Sequence, residues 1–70
     1  MNVPALKAKM AFYGVSVKDL CERTGIGLSA FYRKLSGKTE FTQGEISGIA
    51  RTLRLSREEL CDIFFNAEVS

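Results

Sequence analysis

Residues 16–35, SVKDLCERTGIGLSAFYRKL, read as two short helices joined by a tight turn. Ser16 stands three positions before Asp19, the spacing at which a hydroxyl and a carboxylate cap each other's backbone N–H groups, and the first helix therefore starts at about residue 17. Gly25 stops it at about residue 24, because the turn requires a residue that takes positive φ without strain. Beyond the turn, Phe31 and Leu35 lie four positions apart and share a face, which predicts a second helix over about 28–35. For two such helices to cross at roughly 90–120°, Leu20, the small Cys21, Ile26 in the turn and Phe31 must bury. Leu28, Ser29, Tyr32 and Arg33 are then left on the outer face of the second helix.

The same punctuation recurs along the chain. Thr42 with Glu45 and Ser56 with Glu59 repeat the capping spacing, and each of the three boxes is bracketed by apolar residues at staple positions: Val15 with Leu20, Phe41 with Ile46, Leu55 with Leu60. Pro4 suits the first turn of an opening helix over about 4–13, which Gly14 ends. Its buried face is expected to be Leu6, Met10 and Tyr13, with Lys7 and Lys9 facing solvent. A fourth helix over about 43–53 would bury Ile46, Ile49, Ala50 and Leu53, and a fifth over about 57–65 would bury Leu60, Cys61 and Phe64. No hairpin turn and no sustained alternation of apolar and polar residues points to strands. The expectation is an all-α fold, one compact five-helix domain over residues 1–70, with the two-helix unit at about 16–35.

Composition narrows the function. The chain is 46% hydrophobic and 26% charged, an ordinary globular mixture far from that of a disordered segment. It contains no His, and its two cysteines, Cys21 and Cys61, lack metal-ligand spacing, so neither a metal site nor a cofactor is expected and both thiols read as reduced core residues. The equipment for acid-base or nucleophilic catalysis is thin and the chain has little room for a substrate pocket, which argues against an enzyme and against a small-molecule substrate. Neither a signal peptide nor a membrane span is visible, and a cytoplasmic location follows as an expectation. Charge is unevenly spread. Residues 1–38 hold seven Lys and Arg against two acids, while residues 39–70 hold three Arg against six acids, as expected of a small protein with one face toward phosphates.

The segment Gly25-Ile-Gly-Leu-Ser-Ala-Phe-Tyr-Arg-Lys-Leu-Ser-Gly-Lys38, followed by Phe41-Thr-Gln-Gly-Glu-Ile46 and a closing Ile63-Phe64-Phe65, resembles the phage repressor and Cro class of helix-turn-helix domains. Within that class it looks most like the short Cro-like proteins of phages and prophages of Gram-positive bacteria. Two positions depart from the pattern: Val17 stands where the family often has Gln at the start of the second helix, and Gly27 where a hydroxyl residue often caps the third. The resemblance covers nearly the whole chain. It implies a lambda-repressor-like five-helix fold and a transcriptional regulator that binds double-stranded DNA, nucleoid-associated when bound, and represses by promoter occlusion.

On that reading Leu28, Ser29, Tyr32 and Arg33 are candidates for base contacts. Arg33 has the guanidinium that can chelate guanine. Leu28 either meets a thymine methyl or folds back on the turn, and Tyr32 either faces the groove or edges the core. Ser16, Lys18, Lys34, Lys38 and Thr39 are candidates for the DNA backbone. One recognition helix buries too little surface for high specificity, so a homodimer on a palindromic operator is expected, paired through Ile63, Phe64 and Phe65. The competing reading is a protein-interaction module, antirepressor or antitoxin-like, that keeps this fold without binding DNA.

Overall fold

Three hydroxyl residues begin three helices, and all three capping boxes close in both directions. Ser16 Oγ accepts from the Asp19 N–H at 3.0 Å while the Asp19 carboxylate accepts from the Ser16 N–H at 3.1 Å. Thr42 with Glu45 and Ser56 with Glu59 do the same at 2.9–3.1 Å. The computed structural model describes residues 1–65, so the last five positions of the expected 1–70 domain lie outside the described residues. Five helices follow in order: α1 Val3–Tyr13, α2 Val17–Thr24, α3 Leu28–Leu35, α4 Gln43–Leu53 and α5 Arg57–Phe64, with no strand among the described residues. The all-α expectation is met, and the expected helix limits agree within a residue.

Each helix end has a local cause. Gly14 and Gly25 close α1 and α2 in the left-handed region, at φ 66° and 78°. At the end of α3 the Lys38 N–H reaches the Arg33 carbonyl at 3.0 Å and the Gly37 N–H reaches Lys34 at 3.2 Å, the paired bonds of a Schellman motif. Two ends were not anticipated. Asn2 caps α1 by accepting the Ala5 N–H at 3.1 Å, and α4 ends on Arg54, a non-glycine residue held at φ 53°.

Leu6, Met10, Leu20, Cys21, Ile26, Phe31, Ile49, Leu53 and Ile63 form the core. The four residues that α2, the turn and α3 had to bury are all among them. Gly48 lets α4 lie close to α2, since a Cβ there would stand 3.3 Å from the Thr24 methyl. The Asn2 N–H bonds to the Ile63 carbonyl at 2.7 Å and ties the start of the chain to α5. Several burial expectations need correction. In α5 the inward residue is Ile63, with Leu60 and Phe64 half-buried beside it, whereas Cys61 is exposed and is not a core thiol. Tyr13 is 37% exposed rather than buried. Lys9 does not simply face solvent, because it pairs with Glu59 and joins α1 to α5.

The boxes also carry a pH dependence. Hydrogen bonds from the backbone of Ser16 hold the Asp19 carboxyl below its ordinary 3.8, and those from Thr42, with the Lys34 ammonium, hold Glu45 below 4.5. Lys9 and the Ser56 backbone do the same for Glu59. Folded values below the unfolded ones mean that this stability is fully present above the ordinary values and is lost as pH falls through the lowered ones. The melting temperature is therefore expected to be level down to about pH 5 and to drop steadily below it. An Asp19→Asn/Glu45→Gln/Glu59→Gln variant, which removes the titrating carboxylates, should melt lower at neutral pH and show a shallower acid decline, measured by circular dichroism.

Candidate nucleic-acid interface

α3 is amphipathic, and its inner face decides what the outer face can be. Phe31 is fully buried, with Ala30 and Leu35 packed against the core, which turns Leu28, Ser29, Tyr32 and Arg33 outward onto one side. Leu28 and Tyr32 are each 52% exposed, so neither folds back into the core. The Arg33 side chain is exposed and makes no ion pair among the described residues. Its backbone is fixed, because the carbonyl accepts both the Lys38 N–H and the Ser36 hydroxyl, the latter at 2.9 Å. The four candidates for base contacts therefore stand together on a single exposed helix face.

The N-terminus of α3 differs from those of its neighbours. Gly27 offers no side-chain cap, so the first N–H groups of α3 are not met by any side chain, whereas α2 and α4 have theirs occupied by their own boxes. An unoccupied helix N-terminus favours an anion. Val17, the other departure from the family pattern, is half-buried and packs against the core instead of reaching outward.

The candidates for backbone contacts divide. Lys18, Lys38 and Thr39 are exposed, Lys18 in the first turn of α2 and the other two just beyond α3. Ser16 is exposed, yet the Asp19 carboxylate sits on its N–H, so only the hydroxyl proton remains to donate to a phosphate. Lys34 is placed differently from the others. Its ammonium lies 3.2 Å from Glu45 and 3.0 Å from the Glu40 carbonyl and stands over the Phe41 ring, with the side chain only 13% exposed. Lys34 is a clamp between α3, the following loop and α4, and its charge is already matched.

The expected pairing surface also changes. Ile63 is 2% exposed and belongs to the core of the single chain. Phe64 packs edge-to-face on Phe41 with ring centroids 5.6 Å apart. Phe65 alone of the three stands out, at 61% exposed, and with Met1 it rims a groove of about 360 Å³ over Phe41, Ile46 and Phe64. Among the described residues no group of His, Cys, Asp and Glu could hold a metal ion, and no helix is long and apolar enough to cross a membrane.

Residues 5–66 match the sequence model of a domain family described as Cro/C1-type HTH DNA-binding domain. Searches of curated proteins and of solved structures each gave no match.

Proposed function

The chain belongs to the Cro/C1-type helix-turn-helix DNA-binding domain family, and we propose that it is a sequence-specific regulator that occupies an operator and excludes transcription machinery from the promoter, in the manner of the short phage proteins its sequence resembles. The observation that carries this reading is the exposed face of α3, where Leu28, Ser29, Tyr32 and Arg33 are held outward by the burial of Phe31. α3 enters the major groove, Arg33 reads guanine, and Leu28 meets a thymine methyl. Lys18, Lys38, Thr39 and the Ser16 hydroxyl meet phosphates and fix the register. Two copies pair on a palindromic site through Phe65 and the groove beside it, placing their α3 helices about 34 Å apart.

Gel-shift titration over a range of salt concentration tests the reading. Binding that weakens steeply as salt rises, with a footprint of two symmetric half-sites, is the expected result; an interaction module that does not bind DNA shows no shift at any salt. The two lysines should separate in the same assay. Lys38→Ala is expected to weaken binding to all sequences alike and to lower the salt slope by about one unit. Lys34→Ala should leave the slope unchanged and instead destabilise the fold by about 1 kcal/mol, read from thermal melting. A normal melt with a reduced slope for Lys34→Ala would restore it to the phosphate contacts.

A further inference from the structure

The C-terminal ends of α1 and α4 carry a row of exposed side chains that neither the core nor the outer face of α3 uses. Phe12 is 77% exposed, and its ring meets that of Tyr13 edge-to-face with centroids 4.9 Å apart. The Arg54 guanidinium carbon stands 5.9 Å from the Tyr13 centroid, and Arg51, exposed one turn earlier on α4, lines the same recess as Arg54. Neither arginine forms an ion pair among the described residues. Arg23 borders that recess too, but Asp19 answers it one turn back on α2, so it is not part of the row. Arg54 is also the one non-glycine residue at positive φ among the described residues, at 53°. Glycine would end α4 there without strain, so the backbone gives no reason for a long side chain, and a conformation of this kind points to use of the side chain itself.

The row sets the chemistry of what covers it. Exposed rings call for an apolar side chain, which a phosphate backbone does not offer, and two arginines call for carboxylates. The Lys9 ammonium lies 5.9 Å and 6.0 Å from the two ring centroids, but Glu59 already pairs with it, and the recess between Phe12 and α5 holds Glu59 and Asp62. Acids therefore fit on the arginine side of the rings. With an apolar residue on Phe12 and Tyr13, Arg54 is about one helical turn away and Arg51 a turn further along α4, so acids one and two turns beyond the apolar residue match. A second copy of the chain does not supply that pattern. Of the large exposed apolar residues, Met1, Phe12, Tyr13, Leu28, Tyr32 and Phe65, only Phe65 has an acid within one turn, and that acid, Asp62, is already engaged.

We propose that this row is a docking surface for an acidic amphipathic segment of another protein, with one apolar side chain on Phe12 and Tyr13 and carboxylates on Arg54 and Arg51. Tyr and Arg are among the residue types that dominate binding energy at interfaces. Docking here requires nothing of the DNA-facing groups, and holds whether or not α3 reads an operator.

A displayed library of random peptides about four helical turns long, selected on the wild-type protein, supplies the probe. Selected sequences are expected to pair an apolar residue with acids one and two turns away, and the resynthesised peptides to bind less tightly as salt rises, read by fluorescence anisotropy. Arg54→Gly separates docking from stability. It should melt at or above the unaltered chain, because glycine suits that backbone, yet bind the peptides about fivefold or more weakly. Phe12→Ala, at an exposed helix position, is expected to lose as much while staying folded. Selected peptides without acids, or peptide affinity unchanged in either variant, overturn the proposal. So does a loss of duplex DNA affinity in Arg54→Gly with peptide binding intact, which assigns the arginines to phosphate. Self-association of the wild-type protein that Phe12→Ala abolishes, measured by sedimentation, also overturns it by making the occupant a second copy.

Discussion

Phe31→Ala is expected to abolish cooperative folding. Phe31 is fully buried, its ring meets Phe41 edge-to-face at 5.6 Å, and Phe41 meets Phe64 in the same way, so one aromatic row joins α3, the loop after it and α5. Truncating a buried Phe to Ala costs about 3–5 kcal/mol, from the lost transfer of the ring and the cavity left behind. A core of this size supplies only about 3–5 kcal/mol in total, so the loss equals the whole margin. The recognition face goes with the fold, because the burial of Phe31 is what turns Leu28, Ser29, Tyr32 and Arg33 outward. Phe31→Leu keeps most of the volume and should melt cooperatively at a lower temperature. Thermal and denaturant unfolding followed by circular dichroism gives the answer, and a sigmoidal Phe31→Ala melt near that of the unaltered chain would show that α3 is anchored by something else.

Helix limits were legible because their causes are local. A hydroxyl three positions before an acid, or a glycine at a left-handed end, acts within one turn, and all three boxes and both glycine ends predicted from them are present. Arg54 gave no such signal, since the residue that ends α4 has a side chain poorly suited to its backbone. Burial in α5 was misread for a different reason. An eight-residue helix with apolar residues at 60, 61, 63 and 64, and another at 65 just past its end, admits more than one inward stripe, and the choice of Leu60, Ile63 and Phe64 is made by packing against α1 and by the bond from Asn2 to the Ile63 carbonyl. Lys34 shows the same limit at the site. The family resemblance makes it a candidate for the DNA backbone, but its partners within the chain, Glu40 and Glu45, come from the loop and from α4 and are distant in sequence. The outer face of α3 was readable because one inward residue, Phe31, fixes the rotation of a short helix.

That face makes Arg33 the position where specificity and stability separate. Its side chain is exposed and makes no ion pair among the described residues, while the backbone beneath it is held by the Lys38 N–H and the Ser36 hydroxyl. Removing the side chain therefore leaves the α3 end intact, and Arg33→Ala should melt close to the unaltered protein. Its effect falls on discrimination: a guanidinium bidentate to guanine is worth about 1–3 kcal/mol, roughly a 5- to 150-fold preference over the wrong base. Arg33→Lys divides charge from geometry. An ammonium keeps the attraction to phosphate but lacks the planar fork, so the lysine variant should retain the salt slope and still lose the guanine preference. Selection of bound duplexes from a randomised pool, with affinities then measured on single-base variants, reads both quantities. Loss confined to one base pair per half-site assigns Arg33 to that pair; an unchanged base preference with uniformly weaker binding makes it a phosphate contact and moves base reading to Leu28, Ser29 and Tyr32.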